Sequence, residues 1–252
     1  MRRMRHLKPR EIQGCDIAYD FSNATTLYDA TTGGNLVAAD GAIARAEDIS
    51  GNGNHMTQAA SGSRPLRKVA SQNGLDSALF DGSNDVLSAG DVADMLNKPV
   101  HIFSVHKWSS GANTALLNKA SYASEPRWGL LIIAGDIFAV LHTNAHYGTT
   151  TPATDASSHT TLEQYSAIGK REVGSSAAVL LRRRSYQQWA SNTVTENRTS
   201  HNTALNTQIG INAGANYYGG YVCETAKYSA ELNDAQIKRI EGASMRKWRI
   251  NG

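Results

Sequence analysis

Short apolar runs recur along the chain between clusters of Gly, Asn, Asp, Ser and Thr: "DIAYDF", "SALFDG", "VHIFSVHKW", "WGLLIIAGDIFAVLH", "AAVLLRRR", "TQIGIN" and "GYVCETAKY". Strand-sized runs set off by frequent turn residues predict an all-β fold, an antiparallel sandwich or barrel. Within the longest run, "AGD" at 134–136 has the chemistry of a tight turn, so 128–142 is predicted to be two strands of a hairpin. Helices do not alternate with these strands. Neither G-x-G-x-x-G nor a P-loop is present, which argues against a doubly wound nucleotide-binding fold. The polar stretch "HTNAHYGTTTPATDASSHTT" at 142–161 reads as a long loop on the rim of the sandwich.

The pattern changes period at the C-terminus. In "ELNDAQIKRIEGASMRKWRING", Ile237, Ile240, Ser244 and Trp248 recur at spacings of three and four, Asn233 is placed to cap, and Asp234 suits the positive end of a helix. A helix over 234–248 is predicted to pack on the sandwich with Trp248 as its anchor. Gly242 weakens it by about 1 kcal/mol relative to Ala, so packing must compensate.

At 252 residues and 40% hydrophobic content the chain has enough apolar mass for one full core. The reading is a basic N-terminal arm, 1–14, followed by a single domain over 15–252. The net charge of +3 is mild, and the basic residues gather only in "MRRMRHLKPR" and "RRR" at 182–184, so nucleic acid is not an expected partner. Cys15 and Cys223 are too few and too distant in sequence for a disulfide scaffold or a zinc module and are expected to be free thiols. No apolar stretch approaches the roughly 20 residues of a membrane helix, and the N-terminus lacks the apolar core of a secretory signal, so neither membrane insertion nor signal-led export is expected.

The run "DFSNATTLYDATTGGNLVAADGAIARAEDISGNGNHMTQ", then "RPLRK", "QNGLDSALFDGSNDVL" and "YVCETAKYSAELNDAQIKRIEGASMRKW" together resemble the laminin-G-like, concanavalin-A-like lectin/glucanase domains found in bacteriophage virion and tail proteins. The resemblance covers both ends of the chain and thins in the middle. It departs at Tyr19 and Ala46, where relatives often carry Trp. It implies a two-sheet jelly roll that binds glycans or builds a particle surface. The glucanases of this superfamily present their carboxyls as E-x-D-x-x-E on one strand, and this pattern is absent here, as is G-x-S-x-G. The chain is therefore expected not to be an enzyme.

"EDISGNGNHMTQ", 47–58, poses the sharpest question. Asp48, Ser50, Asn52 and Gly53 match the first, third, fifth and sixth positions of a calcium loop, but position twelve is Ala59, not the closing Glu. Calcium, the one candidate cofactor, would need an oxygen from elsewhere. The resemblance points to Glu224, on the last strand where relatives also carry an acid, so the candidate set is Asp48, Asn52 and Glu224. The alternative is a structural turn in which Asp48 accepts from backbone N–H groups while Gly51 and Gly53 take positive φ; this reading is favoured. Asp81 and Asp85 in "FDGSNDVL" likewise read as turn residues. His142 and His146 lack the H-E-x-x-H pattern, and His101 and His106, an odd number of positions apart on one strand, face opposite sides of the sheet.

Sugars are held by aromatic faces and by amide and hydroxyl hydrogen bonds. "NAGANYYGGY" offers Tyr217, Tyr218 and Tyr221, and "SYQQW" adds Tyr186 and Trp189. Two functions fit: a non-enzymatic virion surface protein, of tail or capsid, that adheres to host-surface glycans, or a structural decoration of the particle with no small ligand. Other virion proteins are expected partners in both, and a homo-oligomer is compatible with both. Assembly in the host cytoplasm and release by lysis would account for the absent signal.

Overall fold

The computed structural model describes residues 9–94, 99–111, 114–119, 127–133, 136–143, 146–150, 161–170, 176–183, 187–195, 205–212 and 216–250. Among them the chain forms an eight-stranded and a nine-stranded sheet, a two-stranded ribbon and one α-helix. The fold is the expected all-β antiparallel sandwich of jelly-roll type with a C-terminal helix packed on it.

The eight-stranded sheet runs in the order Gln187–Thr195, Ser176–Arg183, Glu163–Lys170, Val100–Ser110, Gly219–Tyr228, Leu75–Asp81 and Leu66–Gln72. Cys15–Asp20 adds to Gly219–Tyr228 beside this path. The strand Gly219–Tyr228 therefore has a divided edge: residues 219–222 pair with 78–81, and residues 224–228 pair with the first strand. The opposite sheet runs His146–Thr150, Asp136–Thr143, Arg127–Ile133, Thr114–Lys119, Thr207–Ile209, Leu87–Ser88, Met56–Thr57, Arg45–Ala46 and Leu27–Tyr28.

Alternation along the strands sends Ala78, Phe80, Ile102 and Val222 of one sheet against Leu117, Trp128, Leu130 and Ile132 of the other, and these make the main core. Tyr19 and Ala46 are both buried in that core, and the Tyr19 hydroxyl donates to the Asn54 carbonyl. The outer face of the eight-stranded sheet is covered too. There Phe103, Val105 and Cys223 pack under Trp248 and Ile250, which explains why "VHIFSVHKW" reads as apolar on both sides.

The helix is Asp234–Trp248. Asn233 Oδ1 accepts from the Gln236 N–H at 2.9 Å and Gln236 Oε1 accepts from the Asn233 N–H at 2.9 Å, a complete capping box. Ile237, Ser244 and Trp248 are buried as the periodicity predicts. No described helix is long and apolar enough to cross a membrane.

Two expectations need adjustment, where packing begins and the extent of the rim loop. Pro9–Glu11 forms a 3₁₀ turn and Ile12 packs against Ala18, Tyr228 and Leu232, so the packed structure begins before residue 15. The first and last strands pair; Cys15 faces Tyr228 while Cys223 lies five residues further along, about 17 Å away at strand rise, so the two free thiols are not neighbours. Inside the stretch expected to be a rim loop, His146–Thr150 is a strand paired with Asp136–Thr143; residues 151–160 lie outside the described residues. The predicted hairpin is present, with Ile133 opposite Asp136.

Candidate functional site

The 47–58 loop is fastened to the first strand by its own polar groups. Asp48 Oδ1 accepts from the N–H groups of Ala18 at 3.0 Å and Ser50 at 2.9 Å, and Oδ2 accepts from Ser50 Oγ at 2.7 Å and the Asn54 N–H at 3.1 Å. Asn52 Nδ2 donates to the carbonyls of Cys15 at 2.8 Å and Asp16 at 2.9 Å. His55 Nδ1 accepts from the Asp48 N–H at 3.0 Å. Gly51 and Gly53 take φ of 101° and 76°, which lets the backbone curl around the carboxylate. This is the geometry of the turn reading. Glu224, the third member of the candidate calcium set, instead engages Ser244 and Lys247, and the described residues hold no group of three or more His, Cys, Asp or Glu placed to share a metal ion.

Asp81 Oδ1 likewise accepts from the N–H groups of Ser83 at 2.8 Å and Asn84 at 3.1 Å, and Asp85 Oδ2 accepts from the Asp81 N–H at 2.9 Å. Burial and the neighbouring Asp81 push the Asp85 carboxyl up to about 6.

The aromatic candidates separate. Tyr218 is a core residue with 0% exposure, edge-on to Phe80 at 6.1 Å between ring centroids, and its hydroxyl donates to the Tyr221 carbonyl at 3.2 Å. It is corrected from a ligand candidate to packing: an aromatic face already covered by the core has none left for a sugar. Tyr217 and Tyr221 are half-buried, with Lys107 Nζ 5.9 Å from the Tyr221 ring centroid. Trp189 lies on the strand Gln187–Thr195, but its side chain, like the whole of Tyr186, lies outside the described residues, as do the side chains of His142 and His146. His101 and His106 are both buried.

One concavity was not anticipated from the sequence. Between the outer face of the eight-stranded sheet and the C-terminal helix runs a groove of about 620 Å³, within the usual range for small-molecule sites. Small side chains create the space: Ala18 and Ala226 on the sheet, Ala243 and Ser244 on the helix. Ile49, Leu75, Phe103 and Ile240 supply apolar wall.

Its polar floor follows from strand register. Asp20 and Glu224 are directly opposed across the first and last strands, an arrangement in which like charges repel. Lys247 reaches down from the last helical turn and donates to both, 2.7 Å to Asp20 Oδ1 and 2.7 Å to Glu224 Oε2. Ser244 Oγ donates to Glu224 Oε1, and Ser22 donates to Asp20 Oδ1 through its N–H at 3.0 Å and its hydroxyl at 2.6 Å. Burial alone would lower the Lys247 pKa, but Glu224 and Asp20 outweigh it and raise it above the free-lysine value, so the ammonium is kept charged. Asp20 and Glu224 lie at opposite ends of the sequence, and pairing of the first and last strands joins them.

No protein-family model matches the sequence, and no curated protein matches it either. Solved structures do. An arabinofuranosidase complexed with arabinofuranosyl-alpha-1,2-xylobiose is similar over 94% of this chain and 64% of its own, with a TM-score of 0.59 and 12% identity. Domain 4 of AbnA, a GH43 extracellular arabinanase from Geobacillus stearothermophilus in complex with arabinotriose, is similar over 90% of this chain and 98% of its own, at 0.52 and 11%. The receptor binding domain of botulinum neurotoxin D matches over 92% of this chain and 53% of its own, at 0.58 and 14%. This chain thus spans less than two thirds of the first and third of these chains. At such identities the likeness is one of fold.

Proposed function

We propose that this chain is a lectin-like domain of a virion surface protein that adheres to glycans without cleaving them. The observation that carries the reading is the groove, which sets acceptor oxygens of Asp20 and Glu224 beside hydroxyls and an apolar wall, the mixture a pyranose or furanose ring requires. Fold relatives crystallised with arabinotriose and with an arabinofuranosyl xylobiose support glycan as the ligand class. The order of motifs resembling phage virion and tail domains supports the particle setting.

The non-enzymatic part rests on the floor of the groove. Glycoside hydrolysis needs two carboxyls flanking the scissile bond, one as acid and one as base or nucleophile. Here Lys247 donates to both carboxyls at 2.7 Å and holds them as one ion-paired unit, not as a separate acid and base. A glycan array probed with the folded protein should show binding to a subset of glycans, with no new reducing ends after prolonged incubation. A correctly folded sample that binds none of the array would overturn adhesion, and released reducing ends would overturn the non-enzymatic reading.

A further inference from the structure

We infer that the groove selects a carboxylated sugar, held with its hydroxyls on the acidic floor and its carboxylate on an arginine rim. This rests on the glycan-binding reading and assigns it a place and a ligand chemistry.

The floor and rim carry opposite charge. On the floor, Asp20 and Glu224 outnumber Lys247, so a net negative charge remains. Asp20 Oδ1 takes all the described hydrogen bonds to that carboxylate, from Ser22 and Lys247, and Oδ2 takes none from a described residue. Glu224 has one donor on each oxygen, and a carboxylate has room for about four. These are acceptors waiting for donors, and a sugar hydroxyl is a donor. A free carboxylate placed there would be repelled.

The rim is the reverse. Arg246 and Arg249 line the same groove from the end of the helix, both exposed, and neither has an ion-pair partner among the described residues. Arg249 is the C-cap, in the left-handed conformation with φ of 52°. A non-glycine residue there carries a strain that Gly or Asn would relieve, so nothing in the local backbone explains an arginine at this position. Two guanidiniums three residues apart offer forked donors matched to a planar carboxylate. A neutral sugar would use the floor and leave the rim idle; a simple anion would use the rim and meet the floor's charge. A hexuronic-acid type of sugar satisfies both.

The test is calorimetric titration of the whole chain with trigalacturonate and a hyaluronan tetrasaccharide, each beside its methyl ester, at low salt. An acid is expected to bind about tenfold more tightly than its ester, the equivalent of roughly 1.4 kcal/mol. The double variant Arg246→Gln/Arg249→Gln should abolish that ratio without moving the melting temperature, because both side chains are solvent-exposed. Glu224→Gln should weaken acid and ester alike. Equal affinity for acid and ester in the wild type, no acid bound at all, or a ratio that survives the double variant overturns the inference. Glycan binding on an array that is abolished by Tyr217→Ala/Tyr221→Ala and untouched by the groove variants also overturns it while leaving adhesion standing. Binding to no glycan overturns both.

Discussion

Lys227 and Lys247 are both ion-paired to carboxylates of the sheet or its edge, and they do different work. Lys227 lies inside one end of the sandwich, its side chain 0% exposed, paired with Asp16 and donating to the Asp94 carbonyl at 3.0 Å. The Trp128 ring is 5.4 Å from its ammonium, and Lys119 beside it pairs with Asp91 and Asp94. Lys247 in the groove has 14% exposure and two carboxylates. Burial outweighs the Asp16 and Asp94 contributions at Lys227 and lowers its pKa, whereas at Lys247 the two carboxylates outweigh burial and raise it. The enclosed network closes one end of the core, with Lys227 and Ser229 both donating to Asp16 Oδ2 and Lys119 donating to Asp91 and Asp94. The open one neutralises part of a repulsive cross-strand pair and leaves acceptors facing solvent. A similar ion-pair chemistry serves packing in the first place and lines a groove in the second; the difference lies at the ammonium, 0% exposed at Lys227 and 14% at Lys247, and in the groove that Asp20, Glu224 and Lys247 line.

The comparison breaks most sharply at the sealed site. Asp16→Ala leaves Lys227 buried without its carboxylate and should cost about 3 to 5 kcal/mol by urea denaturation. A loss under roughly 1 kcal/mol would mean that water reaches Lys227 and the site is not sealed. Trp248→Ala should cost a similar 3 to 5 kcal/mol, since the ring is 0% exposed under the helix. That variant should also destroy ligand binding in the groove, whose second wall is the helix. Retained binding would place the ligand elsewhere.

The open site should respond less. Glu224→Gln leaves Lys247 with Asp20 and should cost about 1.5 to 3 kcal/mol. A larger loss than Asp16→Ala would reverse the ranking of the two sites. Asp48→Ala removes an acceptor for three backbone N–H groups and should cost about 1 to 3 kcal/mol, with the same melting temperature in calcium and in chelator for wild type and variant. A calcium-dependent shift that vanishes in Asp48→Ala would establish the metal reading instead.

Local signals carried the fold and distant pairings concealed the site. The capping box at Asn233 and Gln236, the helical stripe ending in Trp248 and the turn oxygens of Asp48 and Asp81 each act within a few residues, so spacing alone reveals them. The groove depends on Asp20 and Lys247, 227 residues apart, meeting Glu224 through strand register. Alternation within "DIAYDF" cannot tell which strand will lie opposite. Lys227 shows the same limit: a lone lysine in an alternating strand reads as a solvent residue, and its burial follows from the sheet above it. Tyr218 misled for the converse reason, because a tyrosine among glycines has the composition of a binding loop whether its ring turns outward or, as here, onto Phe80.

The finest distinction between the two lysines lies in alkaline solution. For Lys247, whose native pKa is raised, stabilisation is fully present below the free-lysine value of about 10.4 and is lost as pH rises through the native value above it. For Lys227, whose native pKa is lowered, the unfolded chain binds more protons than the native one between the native value and about 10.4, so this group's contribution to stability increases with pH across that window. The two slopes therefore oppose. Denaturation of wild type, Lys247→Met and Lys227→Met across this range isolates each one, since groups not coupled to either lysine contribute equally to all three and cancel in the differences. The advantage of wild type over Lys247→Met should shrink beyond about pH 10.5, while wild type should gain on Lys227→Met as pH climbs towards that value. Parallel curves would show that both ammoniums see the same environment, and the division between a sealed and an open site would fall with them.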